Sequence, residues 1–355
     1  MFGFILFMRC PQFQKLLCLP FALTLTALPL QSPDKIPSLA ADSSSAAVAE
    51  ATALLGQGRL SEADSAVRKY LATHPDSAEA HFLLGQILFR EVQLENRAET
   101  QVDGVKALDT DQKRAGLKEE KIKASLAEFT AGAKYHAPGA SDLKTVAFDY
   151  VLLGDYADAD KWLTKMLEWT PDDSEGWYYL GRTKYNENRF AEAIGGFLQC
   201  LKLEPKNVRA EDNLGLAYAG LGRNEEAIAS YQQAILWQAQ AIEKNPGPYI
   251  DLASLFIEQN RSREAVVYLL QAIKIAASDS RAHELLGRAY AQLEDLAKAQ
   301  AELEKAIELS PQSPNLHCML APIYGRQRLA EKAKVEAERC AELAGSHSVP
   351  ETPRR

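Results

Sequence analysis

Glycine or alanine returns at one fixed place along nearly the whole chain: Ala51, Gly85, Ala147, Gly181, Gly215, Ala253, Gly287 and Ala321. A second small-residue column runs beside it through Ala63, Ser125, Ala159, Ala193, Ala227, Ala265, Ala299 and Ala333. Most steps in both columns are about 34 residues long. A period of this size marks a unit that cannot bury its apolar face alone and must stack on copies of itself. Such a chain escapes the size limit of a single globular core, because each repeat touches only its neighbours.

One unit serves for all. In residues 174–207, Trp177, Leu180, Gly181 and Tyr185 share a first helix, and Asn188 breaks it. Ala193, Ile194, Phe197, Cys200 and Leu201 then recur at helical spacing on a second. Pro205 ends the unit, as Pro75, Pro171 and Pro311 end others, because proline cannot continue a helix. Gly181 and Ala193 belong where the two helices cross most closely. Units start near Ser44, Ala78, Ala140, Ser174, Val208, Pro246, Ser280 and Pro314.

The pattern resembles the tetratricopeptide repeat family over roughly residues 44–345. Its residues stand here as Trp177, Leu180, Gly181, Ala193, Phe197 and Pro205, and again as Leu286, Gly287, Tyr290, Ala299, Leu303, Ala306 and Pro311. The resemblance implies an all-α fold, a right-handed superhelical solenoid of about eight tetratricopeptide hairpins. It also implies a concave face lined by the first helices.

Two units depart from the period. The second carries about 28 extra residues, near 92–119, rich in alternating charge with apolar positions retained. They read either as two lengthened helices joined at the insertion or as a protruding hairpin that contacts a partner. The stretch after Ala234 reads as a helix running about four residues long before Pro246. Trp237 within it reads as a packing residue.

The ends differ from the solenoid, which we place at residues 41–345. Residues 1–40 carry Arg9 and Lys15 ahead of an apolar run from Leu16 to Leu30, too short for a membrane span. A small-residue exit follows at Ser38-Leu39-Ala40. This suits a cleaved secretory signal over a retained N-terminal anchor, and implies an exported protein: periplasmic, associated with the outer envelope, or secreted. Residues 346–355 are polar, contain two prolines and read as an unfolded tail.

The five cysteines make no disulfide framework, since two lie in the leader and Cys200, Cys318 and Cys340 are widely spaced. Cys200 and Cys340 occupy places that alanine fills elsewhere. The formal net charge of −8 argues against a sequence-independent grip on nucleic acid. His81, His283 and His317 share the repeat place of Trp177, which assigns them to packing. No zinc helix, nucleophile elbow or phosphate loop appears. The expectation is therefore no catalysis, no cofactor and no metal.

What remains is the inner face. Positions i, i+4, i+7 and i+8 of the first helices offer Phe82 and Phe89, then Phe148, then Tyr178, Arg182 and Tyr185, then Arg288, with Arg209 near the start of its helix. Aromatic and arginine side chains dominate binding hot spots. These eight are the candidate groove residues, for a protein or peptide segment. The function expected is a scaffold, with assembly of envelope or secretion complexes carried by the resemblance alone. The alternatives are a carrier of a small apolar or glycan ligand, and an accessory subunit of an enzyme on another chain.

Overall fold

The computed structural model describes residues 39–100 and 108–346; within these, side chains are described for 46–96 and 114–345. The leader and the tail readings fall on residues outside this range, except for the start of the first helix. By its contacts the chain divides into Met1–Ser43 and Ser44–Arg355, and the second unit holds the solenoid.

Among the described residues sixteen helices form eight antiparallel hairpins. The first helices are α1 (Leu39–Gly56), α3 (Ala78–Thr100), α5 (Ala140–Leu153), α7 (Ser174–Asn186), α9 (Val208–Gly220), α11 (Gly247–Glu258), α13 (Ser280–Gln292) and α15 (Pro314–Arg326). The second helices are α2 (Leu60–Leu71), α4 (Leu108–Gly132), α6 (Tyr156–Trp169), α8 (Phe190–Leu203), α10 (Asn224–Trp237), α12 (Ser262–Ile275), α14 (Leu296–Leu309) and α16 (Ala330–Ser346). Each hairpin packs on the next in chain order, α4 on α5, α6 on α7, α8 on α9. Several first helices also touch the following first helix (α3 with α5, α9 with α11, α11 with α13). Second helices make no comparable run of contacts among the described residues. The first helices therefore lie on the tighter, inner side of the curve, and the chain is an all-α superhelical solenoid.

The small-residue columns have the cause expected of them. Ala51, Ala63, Ser125, Ala147, Ala159 and Ala193 are all 0% exposed. At Gly181 an added Cβ would stand 2.7 Å from the Phe197 ring, and at Gly215 it would stand 2.6 Å from the Tyr231 ring. The aromatic ring of the second helix thus occupies the space a side chain would need. Ala321 and Ala333, in the last of the described hairpins, are only half-buried, and no later described helix packs on them.

The turn inside every hairpin but the second, whose turn lies outside the described residues, is equally periodic. Gly58, Gly154, Asn188, Gly222, Asn260, Glu294 and Arg328 all have positive φ. This left-handed residue reverses the chain between the helices, and glycine or asparagine tolerates it best.

The Trp177 place proves polar as well as packed. Trp177 Nε1 donates to the Pro171 carbonyl at 2.9 Å, tying the first helix to the break before it. His81, His283 and His317 each set Nε2 against the matching carbonyl, of Pro75, Ala277 and Pro311. Their Nδ1 atoms lie 2.6–2.7 Å from Glu128, Glu302 and Glu336 on the second helix of the same hairpin.

Three expectations are settled. The insertion lengthens both helices of the second hairpin, α3 to 23 residues and α4 to 25. The extension after Ala234 is not extra helix: α10 ends at Trp237, and a turn follows. Gln238, buried, closes that turn by donating to the Asn245 carbonyl and accepting from the Asn245 amide. The cysteine reading is corrected, since Cys318 on α15 and Cys340 on α16 form a disulfide across the last hairpin, with 5.1 Å between their Cα atoms. Cys200 remains a free, buried core residue.

Candidate functional site

Three first helices, α3, α5 and α7, build an aromatic ladder on the inner face. The rings of Phe89 and Phe148 are 6.1 Å apart, and those of Phe148 and Tyr179 are 4.2 Å apart. A cleft of about 230 Å³ opens over this ladder, lined by Phe89, Gln93, Asn96, Phe148, Val151, Leu152 and Tyr179. Its floor is apolar and its rim is amide, which suits an anchoring side chain with backbone on either side. The volume falls below the roughly 300–1,000 Å³ of pockets that enclose whole small ligands. Gln93 and Asn96 come from the extra turns of α3, so the insertion extends the inner face.

A second, wider cleft of about 520 Å³ adjoins the first through Asn96 and Leu152. Lys118, Glu119, Lys123 and Asp155 line it, so its character is ionic.

The candidate groove residues divide. Phe89 and Phe148 form the cleft floor, buried at their edges. Phe82 is a correction: it is buried between α3 and α4, stacked on Phe129 at 6.0 Å, and fills the space above Gly132. Tyr178 is another: it is 4% exposed, packed on Phe197 at 6.1 Å, with the Arg209 guanidinium 4.9 Å from its ring. Its neighbour Tyr179 takes the groove place. Tyr185 is half-buried and leans on Phe190 of its own hairpin, at 5.3 Å. Arg182, Arg209 and Arg288 are exposed and have no carboxylate within ion-pair distance among the described residues. Lys144, by contrast, is held by Asp173 and Glu175, each at 2.8 Å, and lies 5.8 Å from the Phe148 ring.

Sequence reasoning missed Tyr179, Gln93 and Asn96. The signal was present: Tyr179 lies three residues before the candidate Arg182, on the face that the two share, whereas Tyr178 lies one residue round from it. Adjacent residues differ by about 100° on a helix. A first helix buried on two sides leaves that choice open from hydropathy alone.

Two buried acids stand out beside the groove. Asp149, on α5, is 0% exposed. Its Oδ2 lies 2.6 Å from the Ser125 hydroxyl of α4, which also lies 3.0 Å from the Gly85 carbonyl. One hydroxyl proton cannot serve two acceptors. A protonated Asp149 that donates from Oδ2 to Ser125, which then donates to Gly85, places both protons and leaves only Asp149 Oδ1 without a partner. Burial pushes the Asp149 carboxyl up to about 7, while donation from Ser125 to the ionised form works the other way. Asp212, on α9, is 5% exposed and is pushed up to about 8, first by burial and then by Asp251. No group of His, Cys, Asp and Glu able to hold a metal ion occurs among the described residues.

A sequence model of the tetratricopeptide repeat matches residues 48–100, 178–246 and 250–314, more than half of the chain. Protein O-mannosyl-transferase TMTC3 of Mus musculus is 30% identical over 155 residues, 39% of this chain and 16% of that protein. A peroxisomal targeting signal receptor of Candida albicans is 40% identical over 57 residues, 16% of this chain and 10% of that one. The chain spans less than a fifth of the length of these curated relatives. Among solved structures, a tetratricopeptide repeat protein from Parabacteroides merdae superposes with a TM-score of 0.57 at 15% identity, covering 79% of this chain and 99% of that one. The Cut9 and Hcn1 hetero-tetramer of the APC/C gives a TM-score of 0.55 at 15% identity, covering 88% of this chain and 55% of that one. These likenesses agree with the fold built above from the columns of small residues. The sequence match over more than half of the chain, the hairpins of the described residues and the second-helix side chains seated over Gly85, Gly181, Gly215 and Gly287 place this chain in the tetratricopeptide repeat family.

Proposed function

We propose that this chain is a non-catalytic scaffold that binds an extended or helical protein segment along its inner face. The observation that carries this is the apolar cleft over Phe89, Phe148 and Tyr179, with room for one large side chain. Arg182, exposed one turn beyond Tyr179, offers a charged contact at its edge. A relative named for reading a targeting signal supports a peptide as the class of ligand. The transferase named among the relatives shares only 16% of its length with this chain, so its name carries no activity here.

The setting we propose is outside the cytoplasm, in assembly of envelope or secretion complexes. The Cys318–Cys340 disulfide supports it, since such bonds persist in oxidising compartments. The leader-like N-terminal residues support it too.

The test is a crosslinking pull-down from the exported fraction, with wild type and a Phe148→Ala/Tyr179→Ala double variant whose helicity is checked by circular dichroism. Loss of the same set of partners from the folded variant is expected. Capture of an unchanged set by that variant overturns the groove reading. A small apolar ligand in the cleft would instead appear by native mass spectrometry of the purified protein.

A further inference from the structure

Successive first helices meet through charged side chains, and one junction differs from the others. Between α5 and α7, Lys144 is held by Asp173 and Glu175, each at 2.8 Å. Between α11 and α13, Asp251 accepts from Arg281 Nη2 at 2.7 Å. Between α7 and α9, the side chain that reaches back is Arg209, at the repeat place of Glu175 and Arg281. It meets a ring where those two meet an opposite charge: its guanidinium lies 4.9 Å from the Tyr178 ring centroid. Stacking on a ring face leaves the charge in place and the N–H edge able to donate elsewhere.

A second arginine stands beside it. Arg182, one turn beyond Tyr179 on α7, is exposed, as Arg209 is. Among the described residues neither guanidinium has an acceptor within bonding distance. Arg209 joins a hydrogen bond only through its carbonyl, which accepts from Asn213 Nδ2 at 2.8 Å. Both charges act on the phenol of Tyr179, whose ring is 5.3 Å from that of Tyr178 and 4.2 Å from that of Phe148. The neighbouring carboxylates are taken: Glu175 is held by Lys144, and Glu204 accepts from Ser174 and Asn207. The edge of the apolar cleft thus presents two guanidiniums whose donors this chain leaves unused. They stay ionised throughout the physiological range, so this does not depend on pH.

We propose that Arg182 and Arg209 are a subsite for one acidic side chain, Asp or Glu, next to the large apolar residue that fills the cleft over Phe89, Phe148 and Tyr179. The proposal rests on the groove reading above and names a chemical demand on the partner segment. Charge complementarity selects the occupant, since a planar guanidinium fork matches a carboxylate and both forks are accessible. The acid belongs inside the segment: Gln93 and Asn96 meet backbone at the far rim of the cleft, and the arginines stand on the next first helices along. The chain as a whole is acidic, with a formal net charge of −8. That field repels an acidic partner at a distance, but it is screened over about 8 Å at physiological ionic strength. Contact with Arg182 and Arg209 is decided within that length.

The test uses the full chain and a displayed library of random dodecapeptides, followed by fluorescence titration of the best synthetic peptide, amidated at its C-terminus. Selected sequences should share one Asp or Glu at a fixed distance from an aromatic or leucine anchor. Replacing that acid by its amide should weaken binding to wild type about ten-fold, and change binding to Arg182→Gln/Arg209→Gln little. The preference for the acid should shrink as salt is raised from about 50 to about 500 mM, a readout that needs no variant. Arg182→Gln alone, which leaves the stack of Arg209 on Tyr178 in place, should lose part of the preference. If the double variant prefers the acid as strongly as wild type does, or loses the acidic and amide peptides alike, the subsite is refuted. So it is if the selected peptides share no acid. If Phe148→Ala/Tyr179→Ala abolishes binding while the amide replacement changes nothing, the groove stands and this subsite falls. If no peptide is selected, both fall.

Discussion

Asp149 makes this solenoid lose stability as the pH rises through neutrality. Its carboxyl is held at about 7 in the fold against an ordinary value of 3.8. Between those values the folded chain keeps a proton that the unfolded chain has released. The unfolded state therefore binds fewer protons, and stability falls with increasing pH. The contribution is fully present below about 3.8 and lost above about 7. A shift of about 3 units corresponds to roughly 4 kcal/mol at most, at about 1.4 kcal/mol per unit. Asp212 acts with the same sign up to about 8. Asp160, which Lys184 and Arg189 hold below its usual value despite burial, acts with the opposite sign, but only in acid below the usual carboxylate range. The assay is urea unfolding at pH 5, 6, 7 and 8, with hydrogen exchange on α4 and α5 to localise the effect, because repeat arrays need not unfold in one step. Wild type should lose stability steadily from pH 5 to 8, first at the α4–α5 junction. Asp149→Asn should flatten the slope, and Asp149→Asn/Asp212→Asn should flatten it further. A wild type that gains stability over this range, or a slope untouched by Asp149→Asn, refutes the assignment of a neutral acid bonded to Ser125.

The remaining predictions concern packing and covalent structure. Gly181→Ala sets a Cβ 2.7 Å from the Phe197 ring and should cost about 1–3 kcal/mol, measured by thermal melts against Gly195→Ala, where the added carbon meets nothing within 4 Å. Glu294→Gly relieves a left-handed turn at φ 64° and should raise stability by about 0.5–1 kcal/mol; a fall in the melting temperature would contradict this. Reduction of Cys318–Cys340 reopens a loop with a sequence separation of 22 and should remove about 3 kcal/mol from the last hairpin alone, seen as faster exchange in α15 and α16. Equal protection with and without reductant would mean that the bond does not constrain this end.

The local grammar of the chain was legible without coordinates. The spacing of Gly181 and Ala193, the breaks at Asn188 and Pro205, and their recurrence through the later units gave eight hairpins whose starts fall within a residue of the first helices, except the first, where α1 begins at Leu39 and not near Ser44. The insertion, which reads either as two lengthened helices or as a protruding hairpin, lengthens α3 and α4. This works because a repeat protein is nearly one-dimensional: every rule that places a helix lies within that hairpin or the next. Cys318 and Cys340 could have been paired by the same reasoning. They lie on the two antiparallel helices of one hairpin, and only the argument from wide spacing hid them.

What lay beyond the sequence depended on rotation and on neighbours across the stack. Tyr178 and Tyr179 are the same residue type one step apart, and only the pitch of α7 against α8 and α9 buries the first and leaves the second on the cleft. The cleft itself needed the extra turns of α3 to reach α5. The acids show the point most sharply: in the sequence Asp149 and Asp212 are two carboxylates among many, and charge in solvent is the ordinary reading. Their character comes from what packs over them, Ser125 and Gly85 in one case, Gly247 in the other. A repeat's own residues thus determined which helices form and in what order. The surfaces that can recognise another molecule arise between repeats, where side chains separated by one or two periods meet, and only the stacked structure decided which of them meet.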